Sequence, residues 1–347
     1  MGSPFVREAL LQTPTPGGVV CGTCERRCVI AEMKRGWCRT RQNRHGVLDS
    51  LIYGAVSSLS RNPIEKKPLF HFYPGSFAAT AGSWSCNFDC SWCQNFGISK
   101  QPPAGGRYLS PRAFVALARR WNCQGTSISL NEPTLSLEWS LEVFRLAREI
   151  GLYNTFVTNG YMTEAALDML TEAGLDALNA DVKGDAGSVR RLCGVDVEVV
   201  WRNCRRAIES GLWLEITTLV IPGVNDERSC LEQIARRIAA ELGRETPWHV
   251  SRYFPAYRFE APSTSVSILE RARNAGQEAG LRYVYLANVQ GGAGERTDCP
   301  QCGAALISRA ALRLEYCHVT SEGCCPHCTR TIPGAGWGWA RRDRAPA

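Results

Sequence analysis

Two hydrophobic periodicities alternate along the middle of the chain. Residues 77–84, 125–130, 152–158, 175–181, 212–221, 247–254 and 282–287 are short runs rich in β-formers and read as strands. Between them, 110–121, 138–150, 162–173, 197–210, 227–242 and 264–279 space their apolar residues three and four apart, which predicts amphipathic helices. Ser110 with Pro111, Thr163 with Glu164 and Asp226 with Glu227 look like helix starts, and Gly151, Gly174, Gly211, Gly243 and Gly280 follow helix ends. Helix-length spacers make neighbouring strands parallel, and six βα units plus a final strand suit an open or partial barrel.

In parallel α/β folds, sites gather at the carboxyl ends of the strands. Those ends are unusually polar here. The first strand leads into three close cysteines, the second into Asn131-Glu132-Pro133-Thr134, the third into Thr158-Asn159-Gly160. The fourth gives Asp181-Val182-Lys183, the fifth Pro222-Gly223-Val224-Asn225, the sixth Arg252 and the last Asn288. Each alone is an ordinary turn or helix cap; their common location argues for one shared site.

Composition sharpens this picture. The 347 residues are enough for about two domains. The net charge is +7, and residues 21–71 hold ten basic and four acidic side chains, so the excess is local. No apolar run approaches the ~18 residues of a membrane span, and the start lacks the apolar centre of a signal peptide, which predicts a cytoplasmic protein. Seventeen cysteines then favour metal or redox chemistry over disulfides. Cys123, Cys193, Cys204 and Cys230 are scattered and read as small buried apolar side chains.

Cys86-Asn-Phe-Asp-Cys90-Ser-Trp-Cys93 supplies three thiolates within eight residues. A [4Fe-4S] cubane needs four ligands, so three cysteines leave one iron open to an external ligand. If the amino and carboxylate groups of S-adenosylmethionine chelate that iron, one electron cleaves the sulfonium and releases a 5′-deoxyadenosyl radical. A zinc site or a ferredoxin-type cluster fits poorly, because neither closes with three local ligands.

This C-x3-C-x2-C spacing, with Trp92 before the last cysteine, resembles the cluster motif of the radical S-adenosylmethionine (SAM) superfamily. Leu69-Phe-His-Phe-Tyr-Pro-Gly-Ser76, Cys93-Gln-Asn95, Asn131-Glu-Pro-Thr134, Val157-Thr-Asn-Gly160 and Asp181-Val-Lys183 resemble the AmmeMemoRadiSam system radical SAM enzymes, relatives of pyruvate formate-lyase activating enzyme. So do Asn62-Pro-Ile-Glu-Lys-Lys-Pro68, Ile221-Pro-Gly-Val-Asn-Asp226 and Arg252-Tyr-Phe-Pro255, and the likeness runs from about Cys21 to Gly334. The resemblance implies a partial (β/α)6 barrel of the radical SAM type, in which Cys86, Cys90 and Cys93 ligate the catalytic cluster. It places Asn131 and Glu132 where the second strand's motif holds the methionine amino group, Glu132 accepting from the cationic ammonium. It places Thr158, Asn159, Asp181 and Lys183 near the ribose and carboxylate of S-adenosylmethionine. Three positions depart from the family pattern: Ser85 and Ala287 stand where glycine is usual, and Leu130 where an aromatic often precedes Asn-Glu-Pro.

Further cysteines flank the barrel. Cys299-Pro-Gln-Cys302 and Cys325-Pro-His-Cys328 are close to a zinc ribbon, whose closed tetrahedral Zn2+ would fold a segment with little core of its own. Cys21, Cys24, Cys28 and Cys38, spaced C-x2-C-x3-C-x9-C, fit structural zinc or an auxiliary iron–sulfur cluster, and zinc is the leaning. Around them Arg26, Arg27, Lys34, Arg35, Arg39, Arg41 and Arg44 read as a solvated basic face rather than a nucleic-acid site.

The expected organisation is a Cys-rich basic segment over 1–75, a radical SAM core over 76–290 and a ribbon-like segment over 291–347. The expected function is radical modification of an unidentified substrate, begun by hydrogen-atom abstraction. The resemblance implies Memo-like and AMMECR-like partner proteins, and the chemistry needs an electron donor. The alternatives are a glycyl-radical enzyme activase and, from another class, a nonenzymatic iron–sulfur or zinc protein that binds nucleic acid or transfers electrons.

Overall fold

The computed structural model describes residues 3–101, 106–289 and 294–339. The boundary expected at 290 and the tail beyond 339 lie outside them. Eight strands form the main sheet: β1 (Ser58–Pro63), β2 (Phe77–Gly82), β3 (Gly125–Ile128), β4 (Tyr153–Thr158), β5 (Ala177–Asp181), β6 (Trp213–Val220), β7 (Trp248–Arg252) and β8 (Val284–Ala287). Strands β2 to β8 lie side by side in chain order and pair parallel. Among the described residues β1 and β8 do not pair with each other, so the sheet is the open, partial barrel that the periodicity predicts.

The edge differs from expectation. Strand β1, Ser-Leu-Ser-Arg-Asn-Pro, pairs antiparallel with β2. A polar run ending in proline carries little strand signal, yet an edge strand tolerates both. Ser58–Pro63 is thus an edge strand of the barrel sheet.

The helices are α1 (Pro111–Arg120), α2 (Leu137–Glu149), α3 (Glu164–Ala173), α4 (Ala186–Cys193), α5 (Val197–Glu209), α6 (Arg228–Arg237) and α7 (Val266–Glu278). Ser110 and Thr163 cap as predicted, their hydroxyls accepting from Ala113 N and Ala166 N. Asp226 does not cap α6: its carboxylate accepts from Gly223 N at 2.8 Å, inside the preceding turn, and the helix starts two residues later. Helix α4 was not predicted; it is one short helix between Asp185, whose carboxylate accepts from Ser188 N, and Gly194 at φ +69°. Phe114, Phe144, Leu167, Trp201, Leu231 and Leu269 from the helices close over Ile128, Phe156, Ile216 and Val250 from the strands to make one core.

Two small modules flank the sheet. The N-terminal one is built from short antiparallel strands, including Gly18–Cys21 and Val29–Ile30, that present its cysteines. It docks on the barrel through Arg41, which is not on the solvated face expected of it: it is 1% exposed, and its Nη2 donates to both carboxylate oxygens of Glu138 of α2, at 3.1 and 3.0 Å. The C-terminal module, with strands Ala305–Ala310 and Arg313–Cys317, packs Leu306, Ile307, Val319 and Trp337 against Phe70, Tyr283 and Tyr285.

Candidate active site at the strand ends

The loop that carries Cys86 leaves β2 and is held by the end of β3. Ser83 N donates to Asn131 Oδ1 at 2.8 Å, and Asn131 Nδ2 donates to the carbonyls of Trp84 and Ser85, each at 3.1 Å. Asn131 thus lines the site, but its amide is spent on the loop. Ser85 has φ +72°, the left-handed region that favours glycine. Its side chain offsets that strain: the hydroxyl donates to Cys38 O at 2.5 Å, tying the loop to the N-terminal module, while Ser85 N donates to Ile98 O.

Cys86, Cys90 and Cys93 open onto a cleft of about 250 Å3 at the strand ends, shared with Glu132, Thr158, Asn159, Asp181 and Lys183. Every site residue expected from the strand ends of β3, β4 and β5 is therefore in one place. Cys86 Sγ accepts from Phe88 N at 3.3 Å, and Asn159 Nδ2 lies 3.7 Å away. Cys93 Sγ sits 3.0 Å from Ser99 Oγ. Burial, then the charges of Glu132 and Cys90, push the Cys86 thiol up to about 12. Ionising such a group needs local positive charge, which metal ions supply. The three Sγ atoms are not gathered around one point, since they do not all lie within 4.8 Å of one another. A spread trio beside an open cleft fits a cubane with one iron facing the cleft better than a single ion.

Glu132, 2% exposed, organises the wall. Its Oε1 accepts from Thr134 N at 3.1 Å, Thr134 Oγ1 at 2.5 Å and Thr158 Oγ1 at 2.8 Å, and its Oε2 from Asn159 N at 2.9 Å. Burial pushes its pKa above the usual carboxylate range against these bonds. Oε1 is saturated, whereas Oε2 has acceptor capacity left for a cationic donor. Asn159 is largely spent, its Nδ2 donating to Asn87 Oδ1 at 2.7 Å and its Oδ1 accepting from Tyr161 N at 3.0 Å. Asp181 and Lys183 face the cleft as an ion pair of 2.8 Å. Burial works against the Lys183 charge, but Asp181 and the thiols of Cys90 and Cys193 outweigh it and raise its pKa.

The sequence left two side chains out of the site. Cys193, at the end of α4, is buried as expected but lies with its Sγ 3.4 Å from Cys90 Sγ. Lys100, 9% exposed, donates from Nζ to Phe88 O inside the cluster loop. Lys100 follows the triplet by seven residues, a signal that was available; a lone cysteine 100 residues downstream carried none.

The C-terminal quartet comes together as its spacing predicts. Cys299, Cys302, Cys325 and Cys328 have all four Sγ atoms within 4.8 Å of one another, with Cys299–Cys328 at 3.6 Å and Cys302–Cys325 at 3.7 Å. A tetrahedral ion with bonds of ~2.3 Å sets its sulfurs ~3.8 Å apart, so the donor set fits Zn2+ or a single iron. Cys324 and His327 are not in this group. Cys21, Cys24, Cys28 and Cys38 line a separate small cavity beside Asn87.

Comparison with known proteins agrees with this geometry. The family description "Radical SAM superfamily" matches residues 85–236. An uncharacterized protein of Methanocaldococcus jannaschii is 42% identical over 321 residues, covering 91% of this chain and 96% of its own. Another protein of that organism, named as a glycyl-radical enzyme activating enzyme, is 24% identical over 172 residues, 48% of this chain and 70% of its own. The crystal structure of a radical SAM methyltransferase from Sphaerobacter thermophilus shares the fold at a TM-score of 0.50 and 20% identity, over 67% of this chain and 71% of its own. No described helix is long and apolar enough to cross a membrane. The superfamily match begins at Ser85 and takes in the whole cysteine trio, the loop that holds it and the strand ends that complete the cleft: this chain belongs to the radical SAM superfamily.

Proposed function

We propose that this protein reductively cleaves S-adenosylmethionine at a [4Fe-4S] cluster held by Cys86, Cys90 and Cys93, and modifies a still unidentified substrate by hydrogen-atom abstraction. The observation that carries this reading is the spread cysteine trio opening on the same cleft as Glu132 and the Asp181–Lys183 pair. The cluster, when bound, supplies one electron to the sulfonium and so a 5′-deoxyadenosyl radical. The chain's part is to bind, orient and shield. Glu132 Oε2 accepts from the methionine ammonium, Lys183 meets the carboxylate, and the Asn131 clamp fixes the loop from which Cys86 projects. Zn2+ in the C-terminal quartet holds that module folded. Memo-like and AMMECR-like proteins are the proposed partners, and the proposed location is the cytoplasm. The test is anaerobic reconstitution with iron and sulfide followed by dithionite and S-adenosylmethionine. Release of 5′-deoxyadenosine is expected, and its absence from a protein with full iron content would overturn the reading.

The likeness to a protein named as a glycyl-radical enzyme activating enzyme favours a second reading, in which the substrate is a backbone glycine of another protein. A glycyl radical signal in a candidate partner, dependent on S-adenosylmethionine, separates the two.

Glu132→Gln tests the ammonium site. A hydrogen bond to a charged partner is worth about 1.5–3 kcal/mol, so the dissociation constant of S-adenosylmethionine should rise by about tenfold to about a hundredfold. Iron content should stay at the parent level, because Glu132 is not a cluster ligand. Unchanged affinity would show that Glu132 only braces Thr158 and Asn159.

A further inference from the structure

The chain's cysteine groups differ in how tightly they are drawn together, and the difference sorts them. Only the C-terminal quartet, among the described residues, brings three or more ligand atoms within 4.8 Å of one another. The trio read as cubane ligands does not meet that limit, and neither do any three of Cys21, Cys24, Cys28 and Cys38. Yet those four line one cavity. A single ion draws its ligands to a point, whereas a cubane holds them apart, one on each iron.

A second, independent observation concerns the cavity wall. Thr23 Oγ1, Arg26 Nη2, Arg41 Nε and Asn87 Nδ2 are buried polar atoms without a hydrogen-bond partner, and all four residues line this cavity. Every one of these atoms can donate, and two carry guanidinium charge. Buried unpaired donors are costly, and several around one cavity point to an anionic, acceptor-rich guest. Thiolates and inorganic sulfides are such acceptors.

We infer that Cys21, Cys24, Cys28 and Cys38 hold a second [4Fe-4S] cluster, closed by four protein ligands and so lacking the open iron of the first. Ligand type leaned to zinc here, with spacing unable to separate the two; the unpaired donors call for an anionic guest, and the spread of the thiols points to the cubane rather than the single ion. The site abuts the catalytic loop, since Asn87 lines its cavity and directly follows Cys86, and Ser85 bonds the Cys38 carbonyl.

The test is metal counting on the full chain after anaerobic reconstitution, with Mössbauer spectra recorded with and without S-adenosylmethionine. The parent should hold about eight irons, about eight sulfides and about one zinc per chain. The triple variant Cys86→Ala/Cys90→Ala/Cys93→Ala should keep about half of that iron and sulfide, as a [4Fe-4S] spectrum that S-adenosylmethionine does not change. Cys24→Ser/Cys28→Ser should show the reverse, keeping the responsive cluster; should that variant not fold, the triple variant decides alone. A folded triple variant with no iron and about two zincs per chain would overturn the inference. Iron retained in the triple variant, with no S-adenosylmethionine cleavage by the parent, would sink the proposed activity and leave this site standing.

Discussion

Cys86→Ala, Cys93→Ala and Cys90→Ala should each lower 5′-deoxyadenosine formation below detection. Three protein thiolates are the fewest that leave a cubane one vacant iron for S-adenosylmethionine; with two, the cluster loses either its anchorage or its geometry. The three variants should not fail identically. Cys193 Sγ stands 3.4 Å from Cys90 Sγ, so a replacement thiol is at hand at that corner. Cys90→Ala is therefore expected to retain more iron than Cys86→Ala, and Cys90→Ala/Cys193→Ala to lose that surplus. Its ligand would then approach from α4 rather than from the loop, so turnover stays lost in both. Iron and sulfide analysis with product assay checks this, and full activity in the Cys86 or Cys93 variant would remove those residues from the cluster.

The parts of this architecture that were legible in the sequence are those whose physics is local. Strand period, helix-length spacers, the caps at Ser110 and Thr163 and the two clustered C-x2-C knuckles all act over a few residues, and each is found where the pattern put it. Gathering of Glu132, Thr158, Asn159, Asp181 and Lys183 in one cleft followed from a single rule, that parallel strands deliver their carboxyl ends to one rim. What stayed hidden depends on contacts far apart in the chain. Arg41 looks like its basic neighbours, and partners far along the chain, the Leu135 carbonyl and the Glu138 carboxylate, make it a buried anchor. Cys193 looks like Cys204 and Cys230, and only the fold brings it to Cys90. Strand β1 is polar because an edge needs no apolar face on both sides, so its periodicity vanishes. Asn131 was legible as a site residue, but its three bonds to the 83–85 loop were not, since a motif names a residue and not what its amide holds.

Glu215→Ala should be the most destabilising single change outside the metal sites. Glu215 lies on β6, 0% exposed, and its carboxylate accepts from Phe70 N at 2.9 Å, His71 N at 2.8 Å, Trp213 Nε1 at 2.9 Å and His249 Nε2 at 2.6 Å. Burial opposes the charge, but His249 and the other donors outweigh it and hold the carboxyl below its usual range. Removing it leaves buried N–H groups without an acceptor, which by analogy with a broken buried ion pair costs about 3–5 kcal/mol. The loss should spread to the C-terminal module, because His71 Nδ1 donates to Pro333 O at 2.8 Å and its Nε2 meets Tyr285 Oη at 2.6 Å. The pH dependence follows from two groups. Burial holds the His71 pKa down to about 4, so the stability its neutral form contributes is complete above 6.5 and drains away as pH falls towards 4. The lowered Glu215 pKa acts in the same direction but later: its contribution is complete above 4.5 and is lost as pH falls through the folded value. The gap in melting temperature between parent and variant should therefore be present from pH 7 to about pH 5 and close in stronger acid, as the Glu215 carboxylate protonates. Taking the difference between the two proteins cancels acid-dependent losses at the C-terminal cysteine quartet, which both share. A gap near zero at pH 7, or one that widens on acidification below 4.5, would show that the Glu215 carboxylate is not what locks the Phe70–His71 segment and the C-terminal module onto the barrel.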